Sequence, residues 1–447
     1  MPKFFGTDGI RTKAGEFPLT ETALFTIGQA LGELLENRFN RKVKAIIGRD
    51  TRASGSWIET ALGNGLISVG AEVVSAGVIT TPGIAYLTKN FGYDVGIVIS
   101  ASHNPYEDNG IKIFSPSGRK FDEHDEEFIE SKLLTSQPIL DDSSLNPINF
   151  LSELPIHYLD FLKKEIAQNL KLSGLKIALD CANGAAINFA TKLFDDLGAE
   201  LILIGCQADG QNINENCGSL HLNNLKTLVK KENCSLGIAF DGDADRTLLV
   251  DETGEIVDGD RILYILARHF LANKKLNPQL IVATVMSNLG LEVALRNLGI
   301  DLKRTPVGDK YVLEELLATD SIVGGEQSGH IIFPHISLAG DGIVTALQVL
   351  HVLASNPGKQ LSELSRDFVT FPQVLINVKV KSKPPFSSVS AIAEAAKKVE
   401  SELAGQGRLL LRYSGTENLA RVMIEGKNLA EITAQAEYLA RIIQENI

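Results

Sequence analysis

Three stretches of this chain repeat one pattern, and that repeat limits the folds open to it more than any other feature. Each reads as a strand, a polar turn, a helix, a Leu-Gly or Val-Gly pair and a second strand. The first runs from Val43-Lys-Ala-Ile-Ile-Gly through Val69-Gly70-Ala-Glu-Val-Val, and the second from Leu175-Lys-Ile-Ala-Leu-Asp through Leu197-Gly198-Ala-Glu-Leu-Ile. The third runs from Gln279-Leu-Ile-Val-Ala-Thr through Leu298-Gly299-Ile-Asp-Leu-Lys. Each continues to a further apolar strand that ends in a loop dense with polar groups. Those loops are Ser100-Ala-Ser-His-Asn-Pro, Asp241-Gly-Asp-Ala-Asp-Arg and Gly324-Gly-Glu-Gln-Ser-Gly-His.

Apolar strands that alternate with helices imply mostly parallel sheets covered on both faces. The expectation is three related mixed or parallel α/β domains, with their loops facing a central cleft. The remaining tail differs in kind. Val374, Ile376, Val378 and Val380 alternate with Leu375, Asn377 and Lys379 as in a half-buried strand, and 388–403 is rich in Ala, Glu and Lys. Strands 408–412 and 421–424 follow, then a helix with Leu429, Ile432, Ala436, Leu439 and Ile443 on one face. That is a smaller C-terminal α+β domain. Polar stretches near 140–155, 251–254 and 368–372 place the domains at 1–152, 153–252, 253–368 and 369–447.

A chain of 447 residues is too long for one core, which agrees with several domains. The net charge of −12 argues against a nucleic-acid partner, so any phosphate site needs locally focused cations. No apolar run reaches membrane-spanning length, and the start lacks a signal-peptide pattern; the expectation is a cytoplasmic chain with no membrane partner. Its cysteines (Cys181, Cys206, Cys217 and Cys234) lack a C-x-x-C pair and read as buried or incidental thiols.

The chemistry lies in the loops. The apolar run Val95–Ile99 delivers the hydroxyls of Ser100 and Ser102 to a strand's C-terminal end, where open α/β sheets bind ligands. Asp241, Asp243 and Asp245 stand at alternate positions and are able to converge on one hard cation; three carboxylates leave room for a phosphate or water, which suits Mg²⁺. An EF-hand is excluded because its sixth position needs glycine and holds Arg246, and the flanks read as strands. Cations in glycine-rich loops are candidates for anion sites: Arg11, Lys112, Gly308 with Lys310, and above all Arg412, Ser414, Gly415 and Thr416 with Arg421, whereas Arg52 and Lys120 read more simply as solvated surface charges. The loop holding Glu326, Ser328 and His330 offers donors and acceptors without an apolar lining, as sugar hydroxyls require; a structural histidine is the rival reading of His330.

Taken together and in this order, these loops resemble the α-D-phosphohexomutase superfamily along essentially the whole chain. The segments 5–11, 210–219 and 325–330, with Gly340-Asp-Gly342, are similar to its glucosamine branch, and Gln327 stands where hexose relatives usually carry methionine. The resemblance implies that Ser102, rather than Ser100, carries a phosphoryl group. It also implies that Mg²⁺ is held by Asp241, Asp243, Asp245 and the Ser102 phosphate. Arg11 and Lys112 are then the candidates for handling the hydroxyl proton, and Arg246 is placed to stabilise charge. Gly308, Lys310, Glu326, Ser328 and His330 meet the sugar, while Arg412, Ser414, Gly415, Thr416 and Arg421 clamp the non-reacting phosphate. The implied substrate is a hexosamine phosphate, with glucosamine 1,6-bisphosphate or glucose 1,6-bisphosphate as primer and intermediate, in a monomer or homodimer. A mutase for glucose or mannose phosphates, a non-catalytic sugar-phosphate sensor and a metal-dependent phosphatase are the alternatives. Thr12, Ala208, Ala339 and Asn418 depart from the family pattern, and Asn418 bears on the phosphate loop.

Overall fold

A computed structural model of the chain describes residues 4–135, 145–403, 405–414 and 418–447. Gly415 and Thr416 therefore lie outside the described residues. The chain forms two compact units, one running to Thr284 and resuming over Lys303–Arg366, the other made of Val285–Leu302 and Asp367–Ile447.

The expected repeat is present as topology. The first sheet contains β1 (Phe5–Gly6), β2 (Gly9–Lys13), β3 (Lys44–Arg49), β4 (Glu72–Val78), β5 (Val95–Ile99) and β6 (Asp108–Phe114), in the order 1-2-6-5-3-4. The second contains β7 (Lys176–Asp180), β8 (Glu200–Ile204), β9 (Leu236–Phe240), β10 (Thr247–Asp251) and β11 (Ile256–Val257), in the order 11-10-9-7-8. The third contains β12 (Leu280–Thr284), β13 (Asp301–Thr305), β14 (Gly324–Gly325) and β15 (Ile331–Ile332), in the order 13-12-14-15. In each sheet a parallel strand (β5, β9 or β14) is followed by an antiparallel return (β6, β10 or β15). Each functional loop is thus the bend of a hairpin at the edge of a parallel core. The sheets are mixed more evenly than the apolar runs implied, because an apolar run after a loop does not tell an antiparallel return from a parallel strand.

Burial follows from composition. β5 and β9 are buried along their whole length, as strands flanked by layers on both faces must be. The helices start on side-chain caps: Thr80 for Thr81–Asn90, Asp258 for Gly259–Ala272 and Asp341 for Gly342–Ala354. β11 extends the second sheet past the boundary expected at 252, pairing Val257 with Leu249.

The second unit carries β16 (Gln373–Lys379), β17 (Gly407–Tyr413) and β18 (Leu419–Gly426) in the antiparallel order 16-18-17, under helices Ser390–Leu403 and Leu429–Asn446. Val378, Val380, Val422, Ile424, Ile432, Ala436, Leu439 and Ile443 form its core. Leu429 does not join that face. It is 56% exposed, because it is the first helical residue after the Asn428 cap. Val285–Leu302 packs in this unit, where Asn288 Nδ2 donates to Phe371 O (3.0 Å) and Arg408 Nη2 to Ser287 O (3.0 Å).

Candidate active site

The bend after β5 settles which serine faces the carboxylates. Ser100 Oγ donates to Asp50 Oδ2 (2.6 Å) and accepts from Ser102 N (2.9 Å), so it is spent on holding the loop. Ser102 has φ of 53°, the left-handed region that non-glycine residues seldom occupy, and this turns its hydroxyl the other way. Its Oγ donates to Asp241 Oδ2 at 2.5 Å and lies 3.2 Å from His103 Nδ1. Burial, then Arg246 and Arg11, push the His103 imidazole down to about 4, so it is neutral at neutral pH.

The sequence offers Arg52 as a surface charge or, second to that, a phosphate ligand. The structure gives it another task. It is 1% exposed, and its Nε donates to Asp50 Oδ2 (2.9 Å). Its Nη groups donate to the carbonyls of Pro105, Asp108 (3.0 Å), Ser102 (3.1 Å) and Asn104 (2.8 Å). Asn214 Nδ2 donates to the same Ser102 and Asn104 carbonyls at 2.9 and 3.0 Å. The available signal was the Asp50-x-Arg52 pair at a strand end: a buried guanidinium needs a counter-charge. The segment 210–219, noted only for its resemblance, supplies Asn214.

The second bend joins β9 to β10 and brings Asp241, Asp243 and Asp245 together, one carboxylate oxygen from each within 4.8 Å of the others. All three are buried. Lys112 Nζ, on β6, donates to Asp243 Oδ2 (2.8 Å) and Asp245 Oδ2 (2.9 Å) and lies 3.2 Å from Asp8 Oδ2. Thr81 Oγ1 donates to Asp243 Oδ2 (2.5 Å). Asp243 Oδ1 and Asp245 Oδ1 are buried without a hydrogen-bond partner. Two orphaned carboxylate oxygens beside a third carboxylate fit a hard divalent cation. A second acidic group, Asp122, His124 and Asp125, is mostly exposed, and Asp125 is bonded to Arg38.

The charges explain the local titration. Burial, then repulsion from Asp245 and Asp243, holds the Asp241 carboxyl well above its usual range. Burial pushes Asp245 the same way, but Lys112, His330 and Arg246 outweigh it and hold it ionised. Burial opposes the charge of Lys112, yet Asp243, Asp245 and Asp8 keep it protonated. Arg246 is held charged against burial by Asp245 and Asp241. Asp8, missed by sequence reasoning although it sits inside the segment 5–11, accepts from Arg11 and Lys120 and ties them to Lys112.

The third bend packs on the second. Gly329 has φ of 91°, and a Cβ there would lie 2.2 Å from Thr247 O, so only glycine lets the two loops touch. Gly242 lets the first two loops meet in the same way, its Cβ position lying 2.5 Å from Ser102 O. His330 is buried, 3.6 Å from both Asp245 and Asp309. Glu326 Oε1 accepts from Gly308 N (3.1 Å), and Ser328 is half-buried at the loop's tip. Gln327 instead reaches Asp258 Oδ2 (3.3 Å), which caps a helix. Lys310 is turned to Glu123 (3.0 Å), and Lys120 bridges Asp8 and Asp309.

In the second unit Arg412 and Arg421 stand directly opposite each other on β17 and β18. Burial, then the charge of Arg421, lowers the Arg412 guanidinium. Like charges in register across a sheet cost stability unless an anion joins them. Lys383 Nζ donates to Ser414 O (2.9 Å) at the end of the same strand.

Comparison with known proteins matches four consecutive descriptions. Phosphoglucomutase/phosphomannomutase α/β/α domains I, II and III match residues 2–138, 157–254 and 258–371, and the C-terminal domain of the same family matches 375–442. The chain belongs to the phosphoglucomutase/phosphomannomutase family, within the α-D-phosphohexomutase superfamily. Phosphoglucosamine mutase of Caldicellulosiruptor bescii is 47% identical over the full length of both chains. That of Pseudomonas fluorescens is 45% identical over 99% of each. Among solved structures, a family member from Burkholderia thailandensis covers 100% of this chain and 98% of its own at a TM-score of 0.80 and 23% identity. Aspergillus fumigatus N-acetylphosphoglucosamine mutase, solved with GlcNAc-6P and magnesium, covers 100% and 96% at a TM-score of 0.67 and 19% identity. These distant structures carry the fold: three related α/β domains and a smaller C-terminal one. Among the described residues no helix is long and apolar enough to cross a membrane.

Proposed function

We propose that the chain is a phosphoglucosamine mutase that interconverts glucosamine 6-phosphate and glucosamine 1-phosphate through a phosphorylated Ser102 and a 1,6-bisphosphate. The observation that carries this is the Ser102 hydroxyl on Asp241, inside a buried cluster with two orphaned carboxylate oxygens. Full-length similarity to phosphoglucosamine mutases names the sugar.

In the forward half-reaction the bond between phosphorus and Ser102 Oγ breaks as a bond to the sugar's O1 forms, and the O1 proton leaves to a nearby base. The returning half runs the same exchange with the other phosphate. Asp241, Asp243 and Asp245 with the Ser102 phosphate would hold Mg²⁺, which when bound neutralises phosphoryl charge. Arg246 and Lys112 are the fixed cations beside that charge, and Arg11 and Lys112 share Asp8 as the groups available for proton handling. Arg52 and Asn214 fix the loop carbonyls, so the serine needs no reorganisation to react. Glu326, Ser328 and His330, with Gly308 and Lys310, are assigned to the sugar. Arg412, Ser414 and Arg421, with Gly415 and Thr416, are assigned to the phosphate that does not react. The domains follow the family's order, with boundaries near 152, 252 and 368.

Coupled assays on glucosamine 6-phosphate, glucose 1-phosphate and mannose 1-phosphate test the reading. The expected result is a clear preference for glucosamine 6-phosphate with no net release of phosphate. A preference for mannose, or stoichiometric phosphate release, overturns it.

A further inference from the structure

A cavity of about 580 Å³ opens on the first unit between β4, the helix Gly55–Ser68 and the connecting segment 147–156. The segment is stitched to the sheet edge, with Ser75 N donating to Asn149 O (2.8 Å) and Leu151 N to Ser75 O (3.0 Å). The residues of the carboxylate cluster do not line it. Its volume suits a small molecule.

Its polar equipment is specific. The Glu59 side chain is only 9% exposed and lines the cavity. Its Oε2 accepts from Arg49 Nε at 3.1 Å and the Ser75 hydroxyl serves the same carboxylate, whereas Oε1 is buried and accepts no hydrogen bond of ordinary geometry. A buried carboxylate oxygen left unpaired carries a desolvation cost that a ligand N–H or O–H relieves. Arg49 also lines the cavity, and its Nη groups make no hydrogen bond among the described residues. The wall therefore presents an acceptor and donors side by side. Phe150 and Ile156, 55% and 56% exposed, form an apolar rim, with Phe189 and Ile148 deeper. The guanidinium and carboxylate largely cancel, so the site has no net pull on a phosphate.

We propose that this cavity is a second small-molecule site, for a neutral flat heterocycle with an adjacent N–H donor and ring-nitrogen acceptor, the edge that an aminopurine presents. The donor meets Glu59 Oε1, the acceptor meets Arg49, and the ring packs against Phe150. Arg49 precedes Asp50, the carboxylate that holds both Ser100 and Arg52, so an occupant sits one residue from the support of the Ser102 loop.

Saturation-transfer NMR on the full chain tests this, with adenine as the probe and purine as the control, both methylated at N9 so that the exocyclic amine is the one N–H donor. Adenine is expected to bind, and purine, lacking the exocyclic amine, about tenfold more weakly, as for one lost hydrogen bond to a charged group. Glu59→Gln is expected to weaken adenine about tenfold by the same argument. Phe150→Ala, at an exposed rim where folding is undisturbed, should weaken adenine and purine alike. Excess glucosamine 6-phosphate should displace neither. No adenine signal at millimolar concentration, equal binding to both variants and wild type, or displacement by the sugar phosphate each overturns the proposal. Mutase turnover, measured on the same samples, reports separately on the reading of the active site.

Discussion

The two serines of the first loop are a clean case of one sequence motif split by geometry. Ser100 is fully engaged with Asp50 and the Ser102 amide, while Ser102 alone reaches Asp241. Ser102→Ala is therefore expected to abolish turnover and remove phosphate from the peptide spanning residues 100–102, as read by peptide mass spectrometry. Ser100→Ala should keep phosphate on Ser102 and lose about 1–3 kcal/mol in urea titration, since its partners are buried. Phosphate that survives Ser102→Ala would reverse the assignment. Arg52→Met tests the loop's support: a buried Asp50 without its cation, and carbonyls that each lose a donor, predict a loss of about 3–5 kcal/mol. Sequence alone could not separate the serines, because both stand beyond the same apolar strand. What separates them is the left-handed turn at Ser102 and a carboxylate 139 residues away. Asp241, Asp243 and Asp245 were legible because alternate spacing on a bend brings their oxygens together without help from elsewhere.

At the scale of elements, the repeated strand–helix units could be read directly, since apolar runs of five residues between polar turns are locally unambiguous. The return strand of the third sheet could not: β15 is two residues long, too short for any periodicity. Asp341 starts the helix Gly342–Ala354 by accepting from Val344 N (2.9 Å) and also accepts from the buried Tyr158 hydroxyl (2.7 Å). Gly342 N donates to Ala244 O (2.9 Å), so this helix end rests on the carboxylate bend. Burial pushes the Asp341 carboxyl up to about 6, against the hydrogen bonds that favour its charge. The folded state thus binds its proton more tightly than the unfolded chain. That stabilisation is full below the unfolded value near 4 and is lost as pH rises through about 6. Relative to Asp341→Asn, which has no proton to lose there, the wild type should gain about 2–3 kcal/mol between pH 7.5 and pH 4.5. Urea midpoints of both proteins at the two pH values measure it; a pH-independent difference would mean the carboxyl titrates normally.

At the scale of the whole molecule, a chain with net charge −12 concentrates cations where its chemistry needs them. Arg11, Lys112, Lys120 and Arg246 surround Asp8 and the three loop aspartates. Lys112 covers two oxygens of the cluster, while Asp243 Oδ1 and Asp245 Oδ1 are buried without a hydrogen bond, Asp245 Oδ1 lying 3.6 Å from His330 Nδ1 and 3.8 Å from Arg246 Nε. The bend that holds them is gripped from two other domains of the first unit: Thr81 N donates to Asp243 O (3.0 Å), and Gly342 N to Ala244 O. A ligand of the cluster is therefore a ligand of three domains at once. Binding confined to the folded state adds RT ln(1 + [L]/Kd), about 2.7 kcal/mol at a hundredfold excess over Kd, or roughly 4 °C in a unit of this size. Mg²⁺ added to chelator-treated protein should raise the first unit's melting midpoint by that order and restore turnover. Asp243→Asn should melt within a few degrees of the metal-free wild type yet respond far less to Mg²⁺. Its buried Oδ1 no longer brings a full charge, so metal affinity falls while the packing around Thr81 is kept. Differential scanning calorimetry with and without Mg²⁺ makes the comparison. An equal Mg²⁺ response in the two proteins would place the cation somewhere other than the carboxylate bend.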